Sequence, residues 1–175
     1  MARSSNKQIA EDEQKIIREL MEDSRQSPNE IAEQYGFSRQ KVWRVINKLD
    51  EEKKIWGYTA VVDDNADGSN TYFSLGRVKA PLFEVVDQII EIVNGDKSRQ
   101  CDVRLLGTYY VNGLYDWLVI FSAQNMIDAK RFCGYIQKEY DGYLDRIDLL
   151  EDVFPLIKFG KINPEIDRLK EFAVK

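Results

Sequence analysis

With 175 residues, 43% of them hydrophobic and 31% charged, the chain is too apolar to stay disordered and long enough for one or two folded cores. It contains no histidine, which excludes His-based triads and His general bases; Cys101 and Cys133, 32 positions apart with no CxxC neighbour, offer no zinc motif, so no metal or cofactor is called for. The net charge of −5 is unevenly spread: residues 1–60 carry 11 basic and 11 acidic side chains, residues 61–175 carry 14 and 19, and the stretch 38–48 holds Arg39, Lys41, Arg44 and Lys48 without an acid. Phosphate attraction is decided within about 10 Å at ordinary salt, so the overall sign does not exclude DNA. No apolar run of signal-peptide or membrane-spanning length occurs, and the expectation is a cytoplasmic protein with no membrane partner.

From about residue 11 to 26, Ile16, Ile17, Leu20 and Met21 recur at helical spacing among charges and predict an amphipathic first helix. Ser27-Pro28-Asn29-Glu30 is a helix start, with Ser27 as N-cap, Pro28 at the first helical position and Glu30 in capping-box register. This second helix carries Ile31, Ala32 and Tyr35 and closes at Gly36, with Phe37 as an apolar plug in the turn. Ser38 caps a third helix whose inward stripe is Val42, Val45, Ile46 and Leu49; the opposite arc holds Gln40, Arg44 and Asn47, flanked by Trp43, Lys41 and Lys48. The β-branched and aromatic run 55–62 predicts a strand, and the polar stretch 63–69 a linker after a first domain of residues 1–62.

Residues 70–158 then follow a β-α-β-β-α-β order: a strand over 71–79, a helix over 81–94 opened by Pro81 and closed by Gly95, strands over 103–111 and 114–121, a helix over 125–140 and a strand over 145–154. That order predicts a ferredoxin-like sheet of four antiparallel strands, both helices on one face and the other open to a partner. Residues 159–175 form a helical extension, with Asn163-Pro164-Glu165 opening a short helix whose apolar residues are Ile166, Leu169 and Phe172. The fold class is therefore α+β.

Three short helices, the third capped by Ser, basic outside and reached through a Gly-containing turn, form a helix-turn-helix, which places the third helix in a major groove of double-stranded DNA. Gln40, Arg44 and Asn47 are the candidates for base edges; Ser27, Asn29, Ser38, Arg39, Lys41 and Lys48 are the candidates for the phosphate backbone. A merely solvated charged face is the plain alternative. Trp43, about 100° from the inward stripe, either packs on thymine methyls and sugars or folds back on the second helix. Asn112-Gly113 is a strong hairpin signal because both residues accept positive φ; Asp116 just beyond it can also receive an ammonium group, and the turn's N–H groups a carboxylate.

The run from Asp23 through Ser27-Pro28, Gly36-Phe37-Ser38, Val42 and Leu49-Asp50 to Gly57-Tyr58-Thr59-Ala60-Val61 resembles the Lrp/AsnC, or feast/famine, family of transcription regulators. Asn112-Gly113-Leu114-Tyr115-Asp116 looks like that family's Gly-x-Tyr-Asp turn. The resemblance spans about residues 12–158. It implies a winged-type helix-turn-helix followed by an effector-binding and oligomerisation domain, a homodimer assembling into tetramers or octamers, and a small amino-acid effector near Gly113, Tyr115 and Asp116. The chain departs from the pattern at Val45, where the family commonly has Arg, at Lys53-Lys54, where it has Gly, and at Asp141-Gly142-Tyr143-Leu144, where it has Pro-Gly-Val. Residues 160–175 run past the usual end. Two rival readings stand beside this one. Siroheme decarboxylases resemble the same family but rely on histidine, and an architectural protein binds DNA with little sequence preference.

Overall fold

Three helices, α1 (Asn6–Glu22), α2 (Pro28–Tyr35) and α3 (Arg39–Glu51), open the chain in a computed structural model that describes residues 6–79, 86–94 and 101–172. The backbone divides into two units, residues 1–61 and 62–175. Helix α1 begins and ends earlier than the expected 11–26. It stops because the Asp23 carboxylate accepts the backbone N–H of Arg25 at 3.0 Å and its guanidinium Nε at 3.1 Å, a local turn that competes with another helical residue. Helix α2 starts as its sequence predicts. Glu30 N–H donates to Ser27 Oγ at 3.3 Å, and Ser27 N–H donates back to Glu30 Oε2 at 2.6 Å.

Gly36 closes α2 at φ 64°, and the N–H of Phe37 returns to Ala32 O at 2.9 Å. Ser38 Oγ accepts the Lys41 N–H at 3.2 Å and launches α3. Eight residues cannot hold a helix alone in water, so α2 depends on burial of Ile31 and Ala32 against Ile16 and Val42, with Leu20, Tyr35, Phe37, Val45 and Ile46 packed around them. Glu19 of α1 adds a polar clasp, accepting from Tyr35 Oη at 2.5 Å and Gln34 Nε2 at 3.1 Å. These donors, Tyr35 foremost, hold the Glu19 carboxyl below its ordinary range.

Helix α3 ends in a Schellman motif: Lys53 N–H donates to Asp50 O at 3.0 Å and Lys54 N–H to Leu49 O at 2.9 Å. Lys53 stands in the left-handed region at φ 55°, the position where the resemblance led one to look for glycine. The strand expected over 55–62 is absent. A strand exists only where a neighbouring strand completes its ladder, and among the described residues none pairs with this segment, whose Trp56 is 97% exposed.

The second unit holds the expected β-α-β-β-α-β order: β1 (Asn70–Val78), α4 (Val86–Asn94), β2 (Arg104–Tyr110), β3 (Trp117–Ala123), α5 (Met126–Glu139) and β4 (Leu144–Glu151). The proposed helix start at Pro81 and stop at Gly95 lie outside the described residues. The strands form one antiparallel sheet in the order β2-β3-β1-β4, the ferredoxin-like arrangement. Its core is one face: the cross-strand pair Tyr72 and Phe121, with Val119 and Ala123, packs against Ala129, Phe132 and Ile136 of α5 and Ile89 of α4. Asn125 caps α5, its Oδ1 accepting from Ile127 N–H at 2.9 Å and Asp128 N–H at 3.1 Å. The pairs Phe73 with Ile120 and Leu75 with Leu118 lie on the opposite face, half-buried.

The extension differs from the helical segment expected over 159–175. A short hairpin, β5 (Ile157–Lys158) and β6 (Lys161–Ile162), precedes a 3-10 turn at Ile166–Arg168 and the four-residue helix α6 (Leu169–Phe172). Phe159 at φ 47° and Gly160 at φ 80° make its two-residue turn, both in the positive-φ region that such a hairpin needs. Asn163 starts the helical part as expected, its Oδ1 accepting the Glu165 N–H at 2.8 Å.

Candidate nucleic-acid interface and effector loop

Helix α3 buries Val42 and Leu49 completely and half-buries Val45 and Ile46. A helix with this stripe turned inward must present 40, 44 and 47 outward, and Gln40 and Arg44 are exposed while Asn47 is half-exposed. Trp43 is 59% exposed, so its ring does not fold back under α2. Arg39 is exposed at the first turn. Among the described residues Arg39 and Arg44 make no ion pair, which leaves both guanidinium groups available to an incoming anion. Ser38 is exposed beside them, Asn29 is exposed on the first turn of α2, and Ser27 is half-buried in its capping box.

The two lysines proposed for phosphates are engaged elsewhere. Lys41 Nζ lies 2.5 Å from Asp12 Oδ2 and 3.7 Å from the centroid of the Phe37 ring. Lys48 pairs with Glu13 and lies 3.7 Å from Glu52; Lys54 bridges Glu52 at 2.7 Å and Glu13 at 3.7 Å. Asp12 is 4% exposed, and the Lys41 ammonium holds its carboxyl below the usual range against the desolvation that raises it. Its role was missed from the sequence, although a signal existed: residues 12, 16 and 20 share the buried stripe of α1, and a carboxylate there needs a partner.

In the second unit, the Asn112-Gly113 segment does not make the tight turn its sequence suggests. Neither residue has positive φ, and β2 meets β3 at Tyr110 opposite Trp117, so the loop spans 111–116. Tertiary anchors outweigh the local preference. Asp116 donates its N–H to Gly76 O at 3.0 Å, accepts Val111 N–H at 2.8 Å, and its Oδ2 accepts Val78 N–H at 2.9 Å. Tyr115 Oη donates to Asp148 Oδ2 at 2.8 Å, and Arg146 Nε pairs with the same oxygen at 2.7 Å. Arg146 and then Tyr115 hold the Asp148 carboxyl below its usual range. The structure thus brings Tyr115 and Asp116 to one edge of β1 and β4, while Gly113 sits exposed at the loop tip.

The winged helix-turn-helix DNA-binding family matches residues 13–55, the segment that contains all three helices' packed faces. An uncharacterized HTH-type transcriptional regulator of Pyrococcus abyssi is 33% identical over 120 residues, covering 69% of this chain and 76% of that protein. A second HTH-type regulator, from Bacillus subtilis, is 28% identical over 127 residues, 71% and 73% of the two chains. The solved AsnC family regulator of Agrobacterium tumefaciens superposes with a TM-score of 0.65 at 19% identity, covering 88% of this chain and 96% of that one. This chain belongs to the Lrp/AsnC family. The leucine response regulatory protein of Mycobacterium tuberculosis shares the fold, with a TM-score of 0.68 at 16% identity over 87% and 98% of the chains. So does a Neisseria meningitidis transcriptional regulator solved as a complex with L-Met, with a TM-score of 0.62 at 15% identity over 84% and 91%. Like the HTH-type relatives it matches, this Lrp/AsnC protein is a transcription regulator. Among the described residues no helix is long and apolar enough to cross a membrane.

Proposed function

We propose that the protein reads promoter DNA as a symmetric homo-oligomer, laying α3 of each subunit in a major groove. The observation that carries this reading is the outward arc of α3, where Gln40, Trp43, Arg44 and Asn47 stand exposed or half-exposed over a buried apolar stripe. Arg44 suits guanine O6 and N7, Gln40 and Asn47 suit adenine, and the exposed Trp43 ring suits thymine methyls or sugars. Arg39, Ser38 and the first turn of α2 around Ser27 and Asn29 take the phosphates. The apolar face with Phe73, Leu75, Leu118 and Ile120 pairs with a second copy, and such dimers associate further, as closed symmetry favours.

A small amino acid acts as effector at the loop 111–116. Asp116 uses one carboxylate oxygen on Val78, which leaves the other to receive an ammonium group, and the L-Met complex of the Neisseria regulator supports this class of ligand. Arg44→Ala tests the DNA reading. It should relax preference at one base pair per half-site and cost about 1–3 kcal/mol of binding. An unchanged preference in selected binding sites contradicts the assignment.

A further inference from the structure

Lys41 sits on the first turn of α3, the end that enters the groove, yet its ammonium is drawn to α1 although its side chain is still 38% exposed. It lies 2.5 Å from Asp12 Oδ2 and 3.7 Å from the face of Phe37. Asp12 is itself held: its second oxygen accepts Gln8 Nε2 at 3.1 Å, and its side chain is 5% exposed. The three residues come from three pieces of the unit, namely α1, the turn between α2 and α3, and α3. An ammonium between a buried carboxylate and an aromatic face is satisfied on both sides and has little to gain from a phosphate. Base readout, by contrast, tolerates little displacement, since bidentate bonds fix the position of the helix within the groove.

We infer that Asp12 is a positioning residue for DNA reading: through Lys41 and Phe37 it fixes the first turn of α3, so Lys41 serves the geometry of the recognition helix and not the phosphate backbone. This rests on the DNA reading proposed above. Of the four cations in 38–48, Arg39 and Arg44 are then the ones that meet DNA without first breaking an ion pair. A phosphate-binding lysine and a positioning lysine differ in measurable ways. Loss of a phosphate contact weakens all sequences alike and lowers the slope of log affinity against log salt by about 1. Loss of a positioning contact lowers discrimination and leaves the slope in place.

The test compares wild type, Asp12→Asn, Lys41→Met and the double variant, each with matching helical circular dichroism, on a selected operator and a scrambled duplex across a salt series. Lys41→Met keeps an apolar stem over Phe37, which guards against simple unfolding. The expected result is a loss of about tenfold or more in the operator-to-scrambled ratio for each single variant, no further loss in the double variant, and an unchanged salt slope. If Lys41 is instead a phosphate ligand that Asp12 restrains, Asp12→Asn tightens binding to both duplexes and Lys41→Met lowers the slope; either result overturns the inference. A wild type that binds both duplexes equally would overturn the DNA reading itself, which separates the two failures.

Discussion

Replacing Asp116 with Ala tests its part in the fold separately from the effector role proposed for it. Its Oδ2 accepts the Val78 N–H at 2.9 Å where the β1–β4 register slips between Arg77 and Val78, so the carboxylate supplies an acceptor at a break in the ladder. A hydrogen bond to a charged group contributes about 1.5–3 kcal/mol, and an orphaned N–H adds its desolvation. Asp116 and Val78 are only half-buried, so water recovers part of this and the expected cost is about 1–2 kcal/mol. At roughly 4 °C per kcal/mol for a unit of this size, the melting temperature of the second unit should fall by about 4–8 °C. Asp116→Asn keeps a carbonyl acceptor and should lose less than about 1 kcal/mol, while removing the charge that would hold an ammonium group. Differential scanning calorimetry of the two variants gives the stabilities, and amino-acid-dependent DNA binding of Asp116→Asn gives the effector role. Asp116→Ala melting with the wild type, or Asp116→Asn falling as far as Asp116→Ala, would refute the anchoring argument.

Further outcomes follow from single positions. Lys53→Gly removes a side chain held at φ 55° in the cap of α3 and should stabilise the first unit by about 0.5–1 kcal/mol, read from denaturant midpoints; destabilisation would mean that the Lys53 side chain contributes more than its backbone costs. Tyr140→Phe deletes a buried hydroxyl that lacks a partner among the described residues and should raise the melting temperature of the second unit by a few degrees, roughly 1 kcal/mol; a drop would reveal a bonded hydroxyl. Asp12 has a folded-state pKa below its ordinary value of 3.8, so its pairing stabilises the first unit fully above that value and is lost as pH falls through the lowered one. The melting-temperature gap between wild type and Asp12→Asn should therefore be constant from pH 7 to about 5 and shrink below about 4, and a gap that widens in acid would reverse the sign of the argument.

The helix-turn-helix was legible because its signals are local. Ser27, Pro28, Glu30, Gly36 and Ser38 each act within one helical turn, and each performs the capping role that its chemistry predicts. The order of the second unit was legible for the same reason, through alternation along the strands and Asn125 at the start of α5. What the sequence misled on depends on partners distant along the chain. Asn112-Gly113 prefers a tight turn, but Asp116 and Tyr115 are bound to β1 and β4 and hold the loop open. The run 55–62 has strand composition and, among the described residues, no neighbour to complete a ladder. The ion pairs of Lys41 and Lys48 were not legible because their partners, Asp12 and Glu13, lie 29 and 35 positions away. Phe159-Gly160 was a hairpin signal overlooked because an aromatic residue seldom takes positive φ.

Sequence reading by α3 has a direct signature in the DNA that the protein retains. Selection of bound fragments from the source genome by the purified full chain at near-physiological salt, with and without a pool of amino acids, tests it most directly. A sequence reader recovers a recurring two-fold-symmetric site preferred over bulk fragments by about 10³-fold or more, changed in affinity or spacing by the pool. Uniform recovery of fragments, or none, would contradict it.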